Sequence, residues 1–357
     1  MIKLFSSLAI VLSISLTQSR AQSIKTPIGT TIETQEIEAF LAQQMQGTNT
    51  PGLSLTLIND GKIAFEINKG MARPDSPVSS KTIFEGASIS KPLFSFFVMK
   101  FVEKGLLDLD KPLFEYLPYE DIAHDVRYKT ITARMVLTHQ TGFPNWRTDT
   151  EGNELTIDFD PGTGYQYSGE GFQYLALVLQ GILKTDAQGL EAIFQKEVAL
   201  PLSLQHTKFI QNKSNLDNKA YSYKNGKWND LEDYGNKEFG AAYGVHTTSA
   251  DFANWLIALM NNEGLNENSY HELLKDQIEL PDGNPNKTEG ISHMSLGFFK
   301  GALPFGMAYG HGGNNDKRFS CLFVYIPQSK WGMVLLTNSG FGQELGLGLF
   351  RFLITPK

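Results

Sequence analysis

The run Glu85-Gly86-Ala87-Ser88-Ile89-Ser90-Lys91 sets a hydroxyl and an amine three residues apart. If a helix begins at Ser88, Lys91 falls one turn further along the same face. A serine hydroxyl is a weak nucleophile until a base takes its proton. A lysine serves as that base when burial or neighbouring positive charge lowers its pKa. The helix N-terminus would also offer backbone N–H groups to a developing oxyanion. Acyl transfer from an ester or amide is the chemistry such a pair can run. The same spacing also describes a capped helix with a solvated lysine, so the pair needs partners elsewhere in the chain.

Two later segments supply them. After the turn signal Pro161-Gly162-Thr163 the chain reads Tyr165-Gln166-Tyr167-Ser168-Gly169-Glu170-Gly171-Phe172. Further on, Tyr309-Gly310-His311-Gly312-Gly313-Asn314 stands before the apolar run that holds Cys321. Together the three segments resemble the motifs of the serine β-lactamase and penicillin-binding-protein-like hydrolases: Ser-x-x-Lys, Tyr-x-Asn and Lys/His-Thr/Gly-Gly, in that order. The connecting text is similar as well. Leu137-Thr138-His139-Gln140-Thr141-Gly142-Phe143-Pro144 resembles the family's Leu-x-His-x-Ser-Gly-x-Pro, and Thr247-Thr248-Ser249-Ala250-Asp251 resembles the segment that opens a late helix. The likeness runs from the first hairpin to the last helix.

The resemblance implies a role for each matching residue. Ser88 would be the nucleophile and carry the acyl group, with Lys91 as its general base or proton relay. Tyr167 would help protonate the leaving group and activate the deacylating water. His311 would line the opposite wall of the site. The backbone N–H groups of Ser88 and Asn314 would form the oxyanion hole, and Gly312 and Gly313 would let the substrate lie against their strand. Two departures bear on substrate. Gly169 stands where the family carries asparagine, which supports the lysine and binds the substrate amide. His311 stands where many relatives carry lysine, and an imidazole is mostly uncharged at neutral pH unless a partner raises its pKa. Both departures point away from β-lactamase and towards the class C β-lactamase-related esterase and D-aminopeptidase members. Asn315-Asp316-Lys317-Arg318 reads as a solvated β-turn rather than a replacement cation.

These residues need a scaffold. Gly52 to Ile58 and Lys62 to Ile67 alternate with period two around Asn59-Asp60-Gly61, a β-hairpin signal. Phe319 to Ile326 and Trp331 to Thr337 repeat it around Pro327 to Lys330. Helical spacing marks Thr31 to Gln46, Pro92 to Leu107, Thr132 to Leu137, Phe172 to Leu183, Leu190 to Leu200, Asp251 to Met260 and Gln343 to Leu353. Thr248 with Asp251 makes a capping box at the start of one of them. Strands at both ends and helices between predict an α/β (α+β) fold: one antiparallel sheet from both termini, flanked by helices, with a mostly helical insertion. The expected division is a sheet part at about 22–85 and 290–357 and a helical part at about 86–289, in a single 22–357 domain. The fold the resemblance implies is serine β-lactamase-like.

Composition bounds the rest. In 357 residues, 31 Lys and Arg against 38 Asp and Glu give a net charge of −7, which argues against nucleic acid as a partner. One cysteine, Cys321, excludes an internal disulfide and any multi-thiolate metal site. His271-Glu272-Leu273-Leu274-Lys275 lacks the second histidine of a zinc-protease motif, so no metal or other cofactor is expected. His139 reads as a structural hydrogen-bonder, His246 as a residue either near the cleft or in a loop, Cys321 as buried and inert, and Trp146 and Tyr165 as acyl-pocket or core residues. Met1-Ile2-Lys3, the apolar Leu4 to Leu16 and Ser19-Arg20-Ala21 form a signal-peptide pattern over 1–21, predicting export to a periplasm or the outside. The reading is an exported, cofactor-free serine hydrolase acting on a small ester, D-amino-acid peptide or peptidoglycan-derived substrate. The alternatives are a β-lactamase or DD-carboxypeptidase, or a non-catalytic domain that binds peptidoglycan fragments or a partner.

Overall fold

The computed structural model describes residues 23–229 and 238–356, so the expected leader at 1–21 lies outside the described residues. The strands that matter here are β1 (Gly52–Asn59), β2 (Lys62–Arg73), β3 (Phe84–Ala87), β4 (Val245–Thr247), β5 (Phe299–Leu303), β6 (Gly306–Asn315), β7 (Phe319–Ile326) and β8 (Trp331–Thr337). The main helices are α1 (Thr34–Thr48), α2 (Ser90–Glu103), α3 (Gly169–Leu183), α4 (Ser249–Met260) and α5 (Gly342–Ile354). Asp60 and Gly61 turn the first hairpin with φ of 50° and 71°. Two successive left-handed residues match the twist of the strands they join.

A nine-stranded antiparallel sheet forms the centre. Its middle order is β5-β6-β7-β8-β1-β2, so strands from both ends of the chain meet where β8 pairs β1. Two-residue strands extend each edge: Ile278–Glu279 and His293–Met294 beside β5, Ser76–Pro77 beside β2. Alternation sends the two sides of each strand to different layers. Leu53, Leu55, Leu57, Met333 and Leu335 bury against Ile37 and Leu41 of α1 and Leu345, Leu349 and Leu353 of α5. The other face carries Phe323, Val334 and Leu336 into the larger core under α2 and α4. This is the α/β architecture expected from strands at both ends and helices between.

α2 is buried over most of its surface, as a helix at the centre of a core must be. Leu93, Phe94, Phe96, Phe97, Met99 and Phe101 are all buried. α2 begins at Ser90, so Ser88 lies in the turn before the helix rather than inside it. The Thr248 cap forms, its Oγ1 accepting from Asp251 N at 3.1 Å. The reciprocal half of the box does not, because the Asp251 carboxylate instead accepts from His206 N and Thr207 Oγ1.

Candidate active site

The nucleophile candidate sits where strand becomes helix. β3 ends at Ala87, which holds a left-handed φ of 48° without being glycine. Such strain concentrates at functional turns, where the surroundings over-determine it. Two bonds fix the turn: Ser90 Oγ donates to Ala87 O at 2.5 Å and accepts from Val245 N at 2.9 Å. Ser88 then lines the mouth of a cavity of about 620 Å³ together with Tyr167, His311, Asn314 and Asn145.

Lys91 lies beneath Ser88 and is almost wholly buried. Its Nζ donates to Ser88 Oγ at 3.3 Å and to Ala242 O at 3.0 Å. Its ring neighbours are Tyr167, 4.6 Å from Nζ to the centroid, and Phe172 at 5.6 Å. Among the described residues no carboxylate pairs with it to stabilise the charge, and burial pulls its pKa from the usual lysine range to about 7. A neutral amine within hydrogen-bond reach of a serine hydroxyl is a competent base.

Tyr167 is placed by the residues after it. Ser168 caps α3, accepting from Gly171 N at 3.1 Å and donating to Pro144 O at 2.8 Å. His139 Nδ1 accepts the Ser168 N–H at 3.0 Å, and its ring lies 4.3 Å from the Tyr167 ring. His139 thus positions the tyrosine as a structural hydrogen-bonder. Burial raises the Tyr167 pKa, partly opposed by its hydrogen bond with Ser88.

His311 projects from β6 towards the helical side, buried, with its ring 6.1 Å from Tyr167 and 5.0 Å from Phe299. Its Nδ1 donates to Gly312 O at 2.6 Å, which leaves Nε2 as an unpartnered acceptor. Burial, reinforced by the charge of Lys91, lowers its pKa to about 3. The imidazole is therefore a neutral acceptor where a lysine would present a fixed cation. β5 pairs β6 only as far as Gly310, so residues 311–315 have no strand on that side among the described residues. That open edge faces Ser88.

The two glycines of the third motif differ. Gly312 lines the cavity, and the atoms nearest a Cβ there all belong to the Gln343 side chain. Gly313 faces the other way, against Gly86 O and, at 2.6 Å from an added Cβ, Cys321 Sγ. Cys321 is buried, its thiol donating to Gly86 O at 2.9 Å. Asn315 Nδ2 donates to Glu85 Oε2 at 2.8 Å, and Glu85 pairs with Lys219 at 2.7 Å. These contacts lock β6 to the turn that carries Ser88.

Gly169 is the first residue of α3 and does not line the cavity. A Cβ at Gly169 would lie 2.6 to 2.9 Å from the Trp146 indole. Trp146 fills the place of the absent side chain and packs edge-on against Tyr243, 5.6 Å away. Two groups that the sequence reading missed contact Lys91 or line the cavity. Ala242 O takes the hydrogen bond from Lys91. Asn145 lines the cavity with its Oδ1 held by Gly169 N at 3.1 Å, which leaves its amide N–H₂ for a ligand. The exchange makes a prediction: Gly169→Asn costs about 1–3 kcal/mol of stability by overpacking. Trp146→Ala in the same chain recovers part of that loss, a coupling that urea unfolding of the four proteins measures.

Lys317 and Arg318 lie in a turn closed by Lys317 N donating to Asn314 Oδ1 at 2.7 Å, and neither lines the cavity. His246 is buried in β4, not in a loop, with Nδ1 donating to Gly244 O at 2.7 Å. Among the described residues no group of three or more His, Cys, Asp or Glu side chains is placed to hold a metal ion. No helix among them is long and apolar enough to cross a membrane.

Known proteins resemble this chain in sequence and in fold. A family model described as Beta-lactamase matches residues 37–352. "Protein flp" of Staphylococcus aureus (strain MW2) is 23% identical over 334 residues, 85% of this chain, and this chain spans 63% of its length. "Esterase EstB" of Burkholderia gladioli is 25% identical over 205 residues, 49% of this chain and 51% of its own. Among solved structures, an octameric penicillin-binding protein homologue from Pyrococcus abyssi superimposes with a TM-score of 0.76 at 20% identity, covering 90% of this chain and 78% of its own. A class C beta-lactamase gives 0.75 at 19% identity, covering 91% of this chain and 97% of its own.

Proposed function

Because the chain belongs to the Beta-lactamase family of serine β-lactamase and penicillin-binding-protein-like proteins, we propose that it is a serine hydrolase working through an acyl-enzyme on Ser88. The observation that carries this reading is Lys91, buried, held near a pKa of 7 and 3.3 Å from Ser88 Oγ. Neutral Lys91 takes the hydroxyl proton as Ser88 attacks the carbonyl of an ester or amide. Tyr167, above the lysine, passes a proton to the departing alcohol or amine. Water then enters on the same proton path and releases the acid. The backbone N–H groups of Ser88 and Asn314 receive the oxyanion.

Small esters or D-amino-acid peptides fit the site better than β-lactams. His311 is a neutral acceptor, and Trp146 occupies the space an asparagine at 169 would need. A substrate carboxylate therefore meets no fixed cation from His311, whereas a hydroxyl, amide N–H or ammonium finds an acceptor. The esterase among the relatives is consistent with this preference. The test combines a fluorophosphonate probe with p-nitrophenyl butyrate. The expected result is a probe adduct on the Ser88 peptide and turnover that Ser88→Ala removes. An adduct on another residue, or turnover undiminished in Ser88→Ala, would sink the reading. Benzylpenicillin turnover as fast as butyrate turnover would sink the substrate preference alone.

A further inference from the structure

Resting on the hydrolase reading above, we propose that the chamber between α5 and β5–β7, continuous with the Ser88 site, holds a straight aliphatic chain of the substrate. The preferred substrates are then esters with a medium-length hydrocarbon chain. The same cavity of about 620 Å³ that Ser88 and Tyr167 line at one end is walled at the other by Leu303, Ala308, Val324, Leu347, Phe350 and Ile354. All six are only half-buried, although they lie between a helix and a sheet. Such layers normally close-pack. Here two glycines decide where they do. Gly342 lies against Ser320 O and Gly346 against the Leu322 side chain, each too close for a Cβ, so the first turns of α5 seat tightly on β7. Further along α5, Leu347, Phe350 and Ile354 line an apolar space that they share with Leu303 of β5, Ala308 of β6 and Val324 of β7.

The chamber has a roof and an entrance. The segment Pro285–Glu289 and the two residues after it cover it, tied to α5 by the Glu289–Arg351 ion pair. Gly290 O rests on Gly301, where no side chain fits between them. The entrance is the unpaired edge of β6 beyond Gly310. A chain leaving the scissile carbonyl at Ser88 turns round that edge past Gly312, where only the flexible carboxamide of Gln343 intervenes. Arg351, the cation on this wall, is already answered by Glu289, and His311 is an uncharged acceptor. The walls therefore favour hydrocarbon over a carboxylate or a second peptide unit.

The hydrocarbon chain can belong to either half of an ester, so the experiment has two arms. One compares p-nitrophenyl octanoate with p-nitrophenyl acetate; the other compares octyl acetate with ethyl acetate. The expected result is a kcat/KM at least about ten-fold higher for the longer chain in one arm, since each buried methylene favours binding. The arm that responds identifies the half that enters the chamber. Val324→Phe and Leu347→Phe, which fill the chamber from opposite walls, should each collapse that ratio; equal unfolding midpoints show that they remain folded. A ratio below about ten in both arms, or a ratio intact in both folded variants, overturns the chamber while Ser88-dependent acetate hydrolysis leaves the hydrolase reading standing. Absence of Ser88-dependent hydrolysis in every arm overturns both.

Discussion

Lys91→Met is expected to leave a protein that is more stable and nearly inactive. Loss of a positioned general base costs about 10³-fold in kcat/KM. The native pH profile checks the same assignment. With Lys91 near 7, kcat/KM should rise tenfold per pH unit below about pH 7 and level off above it. No falling limb follows in the ordinary working range, because burial pushes the Tyr167 hydroxyl upward and His311 is already neutral above about 3. A flat profile from pH 5 to 9 would remove Lys91 from the role. The stability gain has a definite sign. The folded state holds Lys91 near 7 while the unfolded chain holds it near 10.4, so the unfolded state binds more protons between those values. The penalty of burying the amine is fully present below about pH 7, shrinks as pH rises and vanishes near pH 10.4. Methionine removes it and packs against the Tyr167 and Phe172 rings that flank the amine. Ala242 O loses its donor, which returns about 1–3 kcal/mol of that gain. Thermal unfolding at pH 6 and pH 10 should therefore show a large excess stability of Lys91→Met at the lower pH and little at the higher.

What the sequence revealed and what it hid divide along the distance between partners. Ser88 and Lys91 are three apart, so their juxtaposition is a property of one turn and one helix start. The hairpins are equally local: Asp60 and Gly61 state their turn chemistry in two residues. Tyr167 and His311 are distant from Ser88, and only their place in an ordered set of motifs predicts that they meet. The reasons for the glycines were not legible, because each is decided by atoms elsewhere in the chain. Gly169 is small because Trp146, 23 positions earlier, lies across it. Asn145 gave no signal of its own, being one polar residue after Pro144 in a loop. The α5 wall was hidden for the same reason. Gly342 and Gly346 seat the helix on β7 through contacts with Ser320 and Leu322, and periodicity in α5 does not reveal which of its residues line a cavity.

Gly313 tests the second long-range contact, and its neighbour supplies the control. The sequence suggests one reason for both glycines: room for a substrate along the strand. The packing separates them. A Cβ on Gly313 meets Gly86 O, Cys321 Sγ and the Ala87 Cβ, none of which is the far end of a flexible side chain. Accommodating even a methyl group there moves β6 away from β3. That displaces the edge strand, and with it His311 and the Asn314 N–H, from the turn that presents Ser88. Gly313→Ala should cost about 2–3 kcal/mol of stability by overpacking. A shift of about 1 Å between nucleophile and oxyanion donors is worth about 10²-fold in rate, so kcat should fall by that order while KM moves less. For Gly312→Ala the nearest atoms all belong to the flexible side chain of Gln343, which can swing aside, so the cost should be under about 1 kcal/mol. Urea unfolding and ester kinetics on the two single variants decide it. Equal stability losses would mean that the strand, not its contact with Gly86, sets the requirement for glycine. A rate loss confined to Gly313→Ala would locate the requirement at the contact that holds the two halves of the site in register.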